Sequence, residues 1–174
     1  MGITGKTFIV TTLAAFALVG CKSSDVTRRH AVAEVSPTQG QSARGTVEFI
    51  ETRNGIRVVA HITGLTPGLH GFHVHEKGDC SAPDAASAGP HFNPAGAPHA
   101  GPDAPARHIG DLGNITANAS GVGHYERVDK HLSFDGPNSI LNRALIVHAS
   151  PDDLTGQPAG NAGARIACGV IRTK

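Results

Sequence analysis

Apolar residues recur along this chain in short runs with a period of two. No segment after residue 30 sustains the 3.6-residue period of an amphipathic helix. Successive side chains of a strand point to opposite faces, so such runs mark strands with one buried face. Val47-Glu48-Phe49-Ile50 and Ile56-Arg57-Val58-Val59-Ala60-His61-Ile62 flank Arg53-Asn54-Gly55, where Asn-Gly predicts a hairpin turn. Gly64-Leu65-Thr66-Pro67-Gly68 is a second turn. Further strands are expected over 71–75, 115–117, 122–128, 144–148 and 164–171, with an edge strand over 31–35. The total of about eight short strands predicts an all-β fold, an antiparallel sandwich or barrel.

Composition narrows this picture. With 22 Gly and 11 Pro in 174 residues, the chain must turn often, which argues against a helical bundle. Aromatic residues are 4% and Trp is absent, so the core is built from Val, Ile, Leu and Ala. A hydrophobic fraction of 39% fits one core in one compact domain. The balance of 15 basic to 14 acidic residues gives no global basic field, and no nucleic-acid partner is expected.

The N-terminal segment reads as an address. Residues 1–20 carry one charge, Lys6, then an apolar run from Phe8 to Val19, the layout of a signal peptide and too short for an ordinary span. Leu18-Val19-Gly20-Cys21 resembles a bacterial lipobox, which predicts cleavage before Cys21 and lipid on its thiol. Lys22 follows where Asp would signal inner-membrane retention, favouring the outer membrane. Residues 21–30 are expected as a lipid-anchored tether with solvated Arg28 and Arg29, and residues 31–174 as the domain. The expected location is the periplasm or cell envelope. Loss of the leader removes Lys6 and leaves the mature chain formally neutral.

Two gaps between predicted strands, 76–109 and 150–163, are too long for hairpins and nearly devoid of apolar periodicity. Loops of that kind need metal ligands or a disulfide to fix them. His73-Val74-His75 places two imidazoles on one strand face, and His148, ending another strand, offers a third nitrogen if it faces the same mouth. The long loop supplies His91, His99 and His108, with Asp111 three residues on. Three imidazoles and a carboxylate suit tetrahedral zinc, and imidazole sites also suit copper. Singly, each loop histidine would serve equally as an exposed polar residue; the set would not.

Four runs resemble the copper/zinc superoxide dismutase family: Gly71-Phe72-His73-Val74-His75-Glu76, Gly89-Pro90-His91-Phe92-Asn93-Pro94, His108-Ile109-Gly110-Asp111-Leu112-Gly113-Asn114 and Gly160-Asn161-Ala162-Gly163-Ala164-Arg165-Ile166-Ala167-Cys168-Gly169-Val170. They stand in the family's order and cover about residues 31–174. The resemblance implies an eight-stranded antiparallel Greek-key sandwich or barrel with two long functional loops. It implies one copper on His73, His75, His91 and His148, and one zinc on His91, His99, His108 and Asp111, with His91 shared. Asp152 matches the aspartate linking a copper ligand to a zinc ligand, Arg165 the active-site arginine, and Cys80 with Cys168 the intrasubunit disulfide. Cys80 falls earlier than in eukaryotic members, which resembles the bacterial variant of the loop, and the signal segment resembles the bacterial exported, lipid-anchored branch. Cys21 is then left for the anchor. His70 is read as a buried structural histidine, and His30, His61, His124 and His131 as strand or surface positions without partners by spacing.

The function so implied is dismutation of superoxide to dioxygen and hydrogen peroxide, protecting the cell envelope. Arg165 and His91 carry the catalytic roles, superoxide is the substrate, and a homodimer is compatible with the resemblance. The segment Thr155-Gly156-Gln157-Pro158-Ala159 carries no charge, so the local positive field is expected mainly from the metals and Arg165. A metal-buffering module and a purely structural lipoprotein are the rival readings. The full ligand set and Arg165 discriminate against both.

Overall fold

The computed structural model describes residues 1–2 and 28–174. The expected signal segment, Cys21 and most of the expected tether lie outside the described residues. Nine strands follow in order: β1 (His30–Pro37), β2 (Arg44–Thr52), β3 (Gly55–Thr63), β4 (Gly68–His75), β5 (Asp111–Ala117), β6 (Gly123–Asp129), β7 (Ala144–His148), β8 (Arg165–Val170) and β9 (Arg172–Thr173). In space they run β2-β3-β6-β5-β4-β7-β8-β1-β9, all pairs antiparallel, and β1 also pairs with β2. Eight strands therefore close into a barrel with no free long edge. The Greek-key connections bring β3 beside β6 and β4 beside β7.

Alternation builds the core. Ile56, Val58, Ala60 and Ile62 of β3 are buried, as are Val47 and Phe49 of β2, while Arg57 and His61 face outward. Removing each large aliphatic side chain from water stabilises the fold by about 1.5–3 kcal/mol. The β2–β3 hairpin forms where Asn-Gly predicts it, but the chain reverses on Arg53-Asn54, and Gly55 is already paired with Thr52. The last predicted strand is shorter than expected and breaks at Ile171, resuming as β9 against β1. His30, expected in the tether, opens β1, and Arg29 is not free linker: it bonds Glu51 and Asp135. Among the expected partnerless histidines, His61 and His124 face one another across β3 and β6, and His30 Nε2 lies 3.4 Å from Glu48. His70 is buried as expected, its Nδ1 2.8 Å from the His148 carbonyl.

The long loop between β4 and β5 contains one 3-10 turn, Ala86–Ala88, and is pinned at three places. β5 begins opposite His73, so the last two residues of β4 keep a free edge. The loop fills it: Phe92 N–H donates to Val74 O, Val74 N–H to Gly110 O, and Gly110 N–H to Phe92 O, each at 2.9 Å. A Cβ on Gly110 would stand 2.0 Å from the Val74 carbonyl oxygen, so only glycine fits this crossing. Second, Cys80 is disulfide-bonded to Cys168 on β8, with Cα atoms 5.8 Å apart and 88 residues between. Third, Arg107 is buried, donates to the carbonyls of His108 and Ile109, and forms an ion pair with buried Asp129 at the end of β6.

Two expectations follow from these ties. Closing a loop of that size restricts the unfolded chain by roughly 4–5 kcal/mol in the chain-entropy model. Cys80→Ser should lower unfolding free energy by about that amount in urea titration, and thiol titration of the folded parent domain should find neither cysteine free. Asp129→Asn leaves the Arg107 guanidinium buried and uncompensated, a cost of about 3–5 kcal/mol. The variant should unfold correspondingly earlier in urea, and a loss below 1 kcal/mol would show that the pair does not hold the loop.

Candidate metal centre

Two clusters of ligand-capable side chains stand side by side on the outer face of the barrel wall, beneath the two long loops. His73, His75, His91 and His148 form one; His91, His99, His108 and Asp111 form the other. Within each, the offered donor atoms lie within 4.8 Å of one another, and all seven side chains are buried. The period of β4 turns Phe72 and Val74 into the core and His73 and His75 outward. β7 contributes His148 from its end, paired with Arg165 at the start of β8. His91 reaches the site because its residue bridges to His75 at the edge of β4. Every residue expected for either metal is brought to its cluster.

Hydrogen bonds fix the tautomers. The His75 Nδ1–H donates to Gly89 O at 2.8 Å, and the His148 Nδ1–H to Gly163 O at 3.1 Å. A carbonyl only accepts, so the opposite nitrogen of each neutral ring carries a lone pair. Asp152 does the same for two rings at once. Its Oδ2 lies 2.8 Å from His73 Nε2 and its Oδ1 2.9 Å from His99 Nε2. The free nitrogens, His73 Nδ1, His75 Nε2, His91 Nε2 and His148 Nε2, are buried and lack any hydrogen-bond partner. Buried polar atoms without partners are rare, and four converging lone pairs repel unless a cation lies among them. Burial, with the neighbouring His91 ring, holds His73 and His75 well below the usual imidazole range, and burial pushes His148 down to about 4. The rings are therefore neutral near pH 7 and free to ligate.

The second cluster closes around Asp111 Oδ1, which lies 2.8 Å from His91 Nδ1, 3.1 Å from His99 Nδ1 and 3.2 Å from His108 Nδ1. His91 Nδ1 and His108 Nδ1 are 3.5 Å apart. A tetrahedral ion with bonds of about 2.0–2.1 Å has ligand-to-ligand edges near 3.3 Å, close to this set. His99 gives its proton to Asp152, so its Nδ1 lone pair faces a carboxylate oxygen, an arrangement that calls for a cation between them. Burial opposes ionisation of Asp111, yet the His91 hydrogen bond and the surrounding rings hold its carboxyl below the usual range. Three imidazoles and a carboxylate fit zinc, and four imidazole nitrogens fit copper.

The loops interlock over this centre. Asn114 clamps the Asp152 main chain, accepting its N–H at 2.7 Å and donating to its carbonyl at 2.9 Å. Gln157 does likewise for His99, at 2.9 and 2.8 Å. Gly160 has φ of +68°, and a Cβ there would overlap Asp152 Oδ1 and His99 Nε2. Arg165 donates to Ala85 O at 2.6 Å and to Gly89 O at 2.7 Å, which aims its guanidinium beside His148. A cavity of about 760 Å³ opens over His75, His91, His108, His148 and Arg165. Arg143 and Glu76 also line it, so a second guanidinium and a carboxylate stand with Arg165 on the same wall. Asn114, Gln157 and the Arg107–Asp129 pair carried no sequence signal, because their partners are 22 to 58 positions away. Asn114 alone stood inside a recognised run.

Comparison with known proteins agrees with this geometry. The family model for copper/zinc superoxide dismutase matches residues 43–171. An extracellular copper/zinc superoxide dismutase of Brugia pahangi is 43% identical over 155 residues, spanning 84% of this chain and 77% of the relative. The crystal structure of the clock protein EA4 superposes with a TM-score of 0.78 at 37% identity, covering 94% of this chain and all of that one. With the fold, the two adjoining histidine clusters and these relatives in agreement, the chain belongs to the copper/zinc superoxide dismutase family, enzymes that dismute superoxide with copper and zinc.

Proposed function

We propose that His73, His75, His91 and His148 hold the copper, that His91, His99, His108 and Asp111 hold the zinc, and that His91 bridges the two. The observation that carries this partition is the placement of one ring in both clusters, its Nε2 unpartnered beside the first set and its Nδ1 at the centre of the second. The reaction needs a one-electron couple, which bound copper supplies and zinc does not. Asp152 positions ligands of both sets through two charge-assisted hydrogen bonds. Arg165 keeps a permanent cation beside His148 and attracts the anionic substrate. His91 lines the cavity, and its Nε2 can hold a proton for the departing peroxide. The buried rings of His73 and His99 keep bulk water from the rear of the site.

We also infer that the chain is exported, processed before Cys21 and lipid-anchored in the bacterial manner, with 21–30 as connection and the dismutase domain beyond it. The Leu18-Val19-Gly20-Cys21 run and the position of Cys80 support this reading, and the extracellular Brugia pahangi relative supports export. On it, the enzyme removes superoxide within the cell envelope.

Two measurements test these readings. The metal-loaded protein should accelerate decay of pulse-generated superoxide, and His91→Ala should lose most of both metals by elemental analysis; full, unchanged copper and zinc in that variant would refute the bridge. Mass spectrometry of membrane-extracted protein should show an acylated N-terminal Cys21. An unmodified Cys21 following an intact leader would contradict the anchor.

A further inference from the structure

Arg143 immediately precedes β7 and lines the cavity that contains His75, His91, His148 and Arg165. Its guanidinium is fixed on three sides. Nε donates to Ser139 O at 2.7 Å, Nη1 donates to Glu76 O at 2.6 Å, and the Cζ atom stands 3.5 Å from the centroid of the Phe92 ring. Phe92 is buried and follows His91 directly, so the stacked cation is tied to the segment that carries the bridging ring. The groups it bonds or stacks on are uncharged, and the Glu76 carboxylate acts on it only through space. Carbonyls and a ring face orient a guanidinium without discharging it, and an arginine keeps its proton even where burial lowers its affinity. Glu76 meets Arg143 through its main-chain carbonyl, and no described carboxylate forms an ion pair with the guanidinium.

The charge inventory of the cavity wall is therefore short. Among the described residues lining it, the permanent cations are Arg143 and Arg165, and the carboxylate is Glu76. The segment 154–159 at the opposite rim brings no charge, and the whole chain is close to neutral. In a field with so few sources, one immobile cation at the entrance has a large share. A charge held still in a concave, partly desolvated wall also acts at longer range than a mobile surface lysine.

We propose that Arg143 is a second fixed cation that draws superoxide toward the site, acting with Arg165. Arg165 stands beside the ligands at the floor of the cavity and Arg143 acts from its wall as a positioning residue for the approaching anion. The inference rests on the dismutase reading of this site. No bond is made or broken by Arg143.

The test uses the metal-loaded protein with Arg143→Gln and Arg143→Lys, at ionic strengths of about 10 and 300 mM, where the screening length falls from about 30 Å to about 6 Å. Two quantities are read: kcat/KM for superoxide, and the affinity for azide, a non-reacting anion followed by the visible absorption of oxidised copper. Arg143→Gln should lower kcat/KM by about two- to fourfold at low salt, flatten its salt dependence, weaken azide in step, and match the parent at high salt. Arg143→Lys keeps the charge but not the paired hydrogen bonds, and should restore most of the salt slope and azide affinity. Equal losses in both variants with the parental slope would show that Arg143 only packs the wall. Parental kcat/KM and azide affinity in Arg143→Gln at low salt would overturn the proposal outright. A parent that binds copper and azide but does not consume superoxide would fail the dismutase reading alone, and the azide series would still decide the role of Arg143.

Discussion

The Asp152 carboxylate is the constraint on which the centre depends. One buried anion accepts from His73 through one oxygen and from His99 through the other, and thereby decides which nitrogen of each ring is left bare. The two rings come from distant parts of the chain, a barrel strand and a loop. Their shared acceptor sets the distance between the clusters as well as the tautomers. The same residue terminates a local turn, taking the Leu154 N–H on Oδ1 at 2.7 Å, and its own main chain is gripped by Asn114. Its position is thus specified by strand β5 and not by loop propensity. A carboxylate in this place is oriented before any ion arrives, so ion binding need not supply the cost of arranging its ligands.

The loops above the barrel hold their shape by an unusual means. They contain little that can be buried, so the ordering entropy of residues 76–110 and 149–164 is offset by directional contacts: side-chain amides on main chain, a disulfide, and the Arg107–Asp129 pair. A buried ion pair is weak evidence for stability, since desolvation consumes most of its attraction, but it is strict about geometry. Here its arginine also holds the carbonyls of His108, a member of the second cluster, and of Ile109, two residues before Asp111. The barrel supplies stability and the polar network supplies placement. The converging lone pairs are the residual strain that metal relieves.

What the chain reveals without coordinates follows from the range of each interaction. Strand periodicity is local, and β3, β4 and β7 lie where alternation puts them. The histidines were legible because their number and spacing had no bland explanation as a set. The shared place of His91 came from family resemblance, since spacing alone does not say which ring meets two clusters. Arg107, Gln157 and Arg143 were illegible for a different reason. An arginine or glutamine looks like surface until a distant carbonyl closes on it, as Asp129, the His99 main chain and Glu76 O do here. Likewise the barrel register, not any spacing rule, sets His61 opposite His124.

Closure of the barrel carries a consequence for the order of events in the life of the chain. β1 is zipped along one side by β2, and along the other first by β8 at Ser36 and Pro37 and then by β9 at Ala31 and Val32. The Lys174 N–H even reaches back to the His30 carbonyl. The earliest strand therefore waits for the latest, and the seam cannot form until β8 and β9 have left the ribosome. Until then the barrel stays open, with the clustered histidines, Cys80 and Cys168 accessible, and its closure is a late, long-range event.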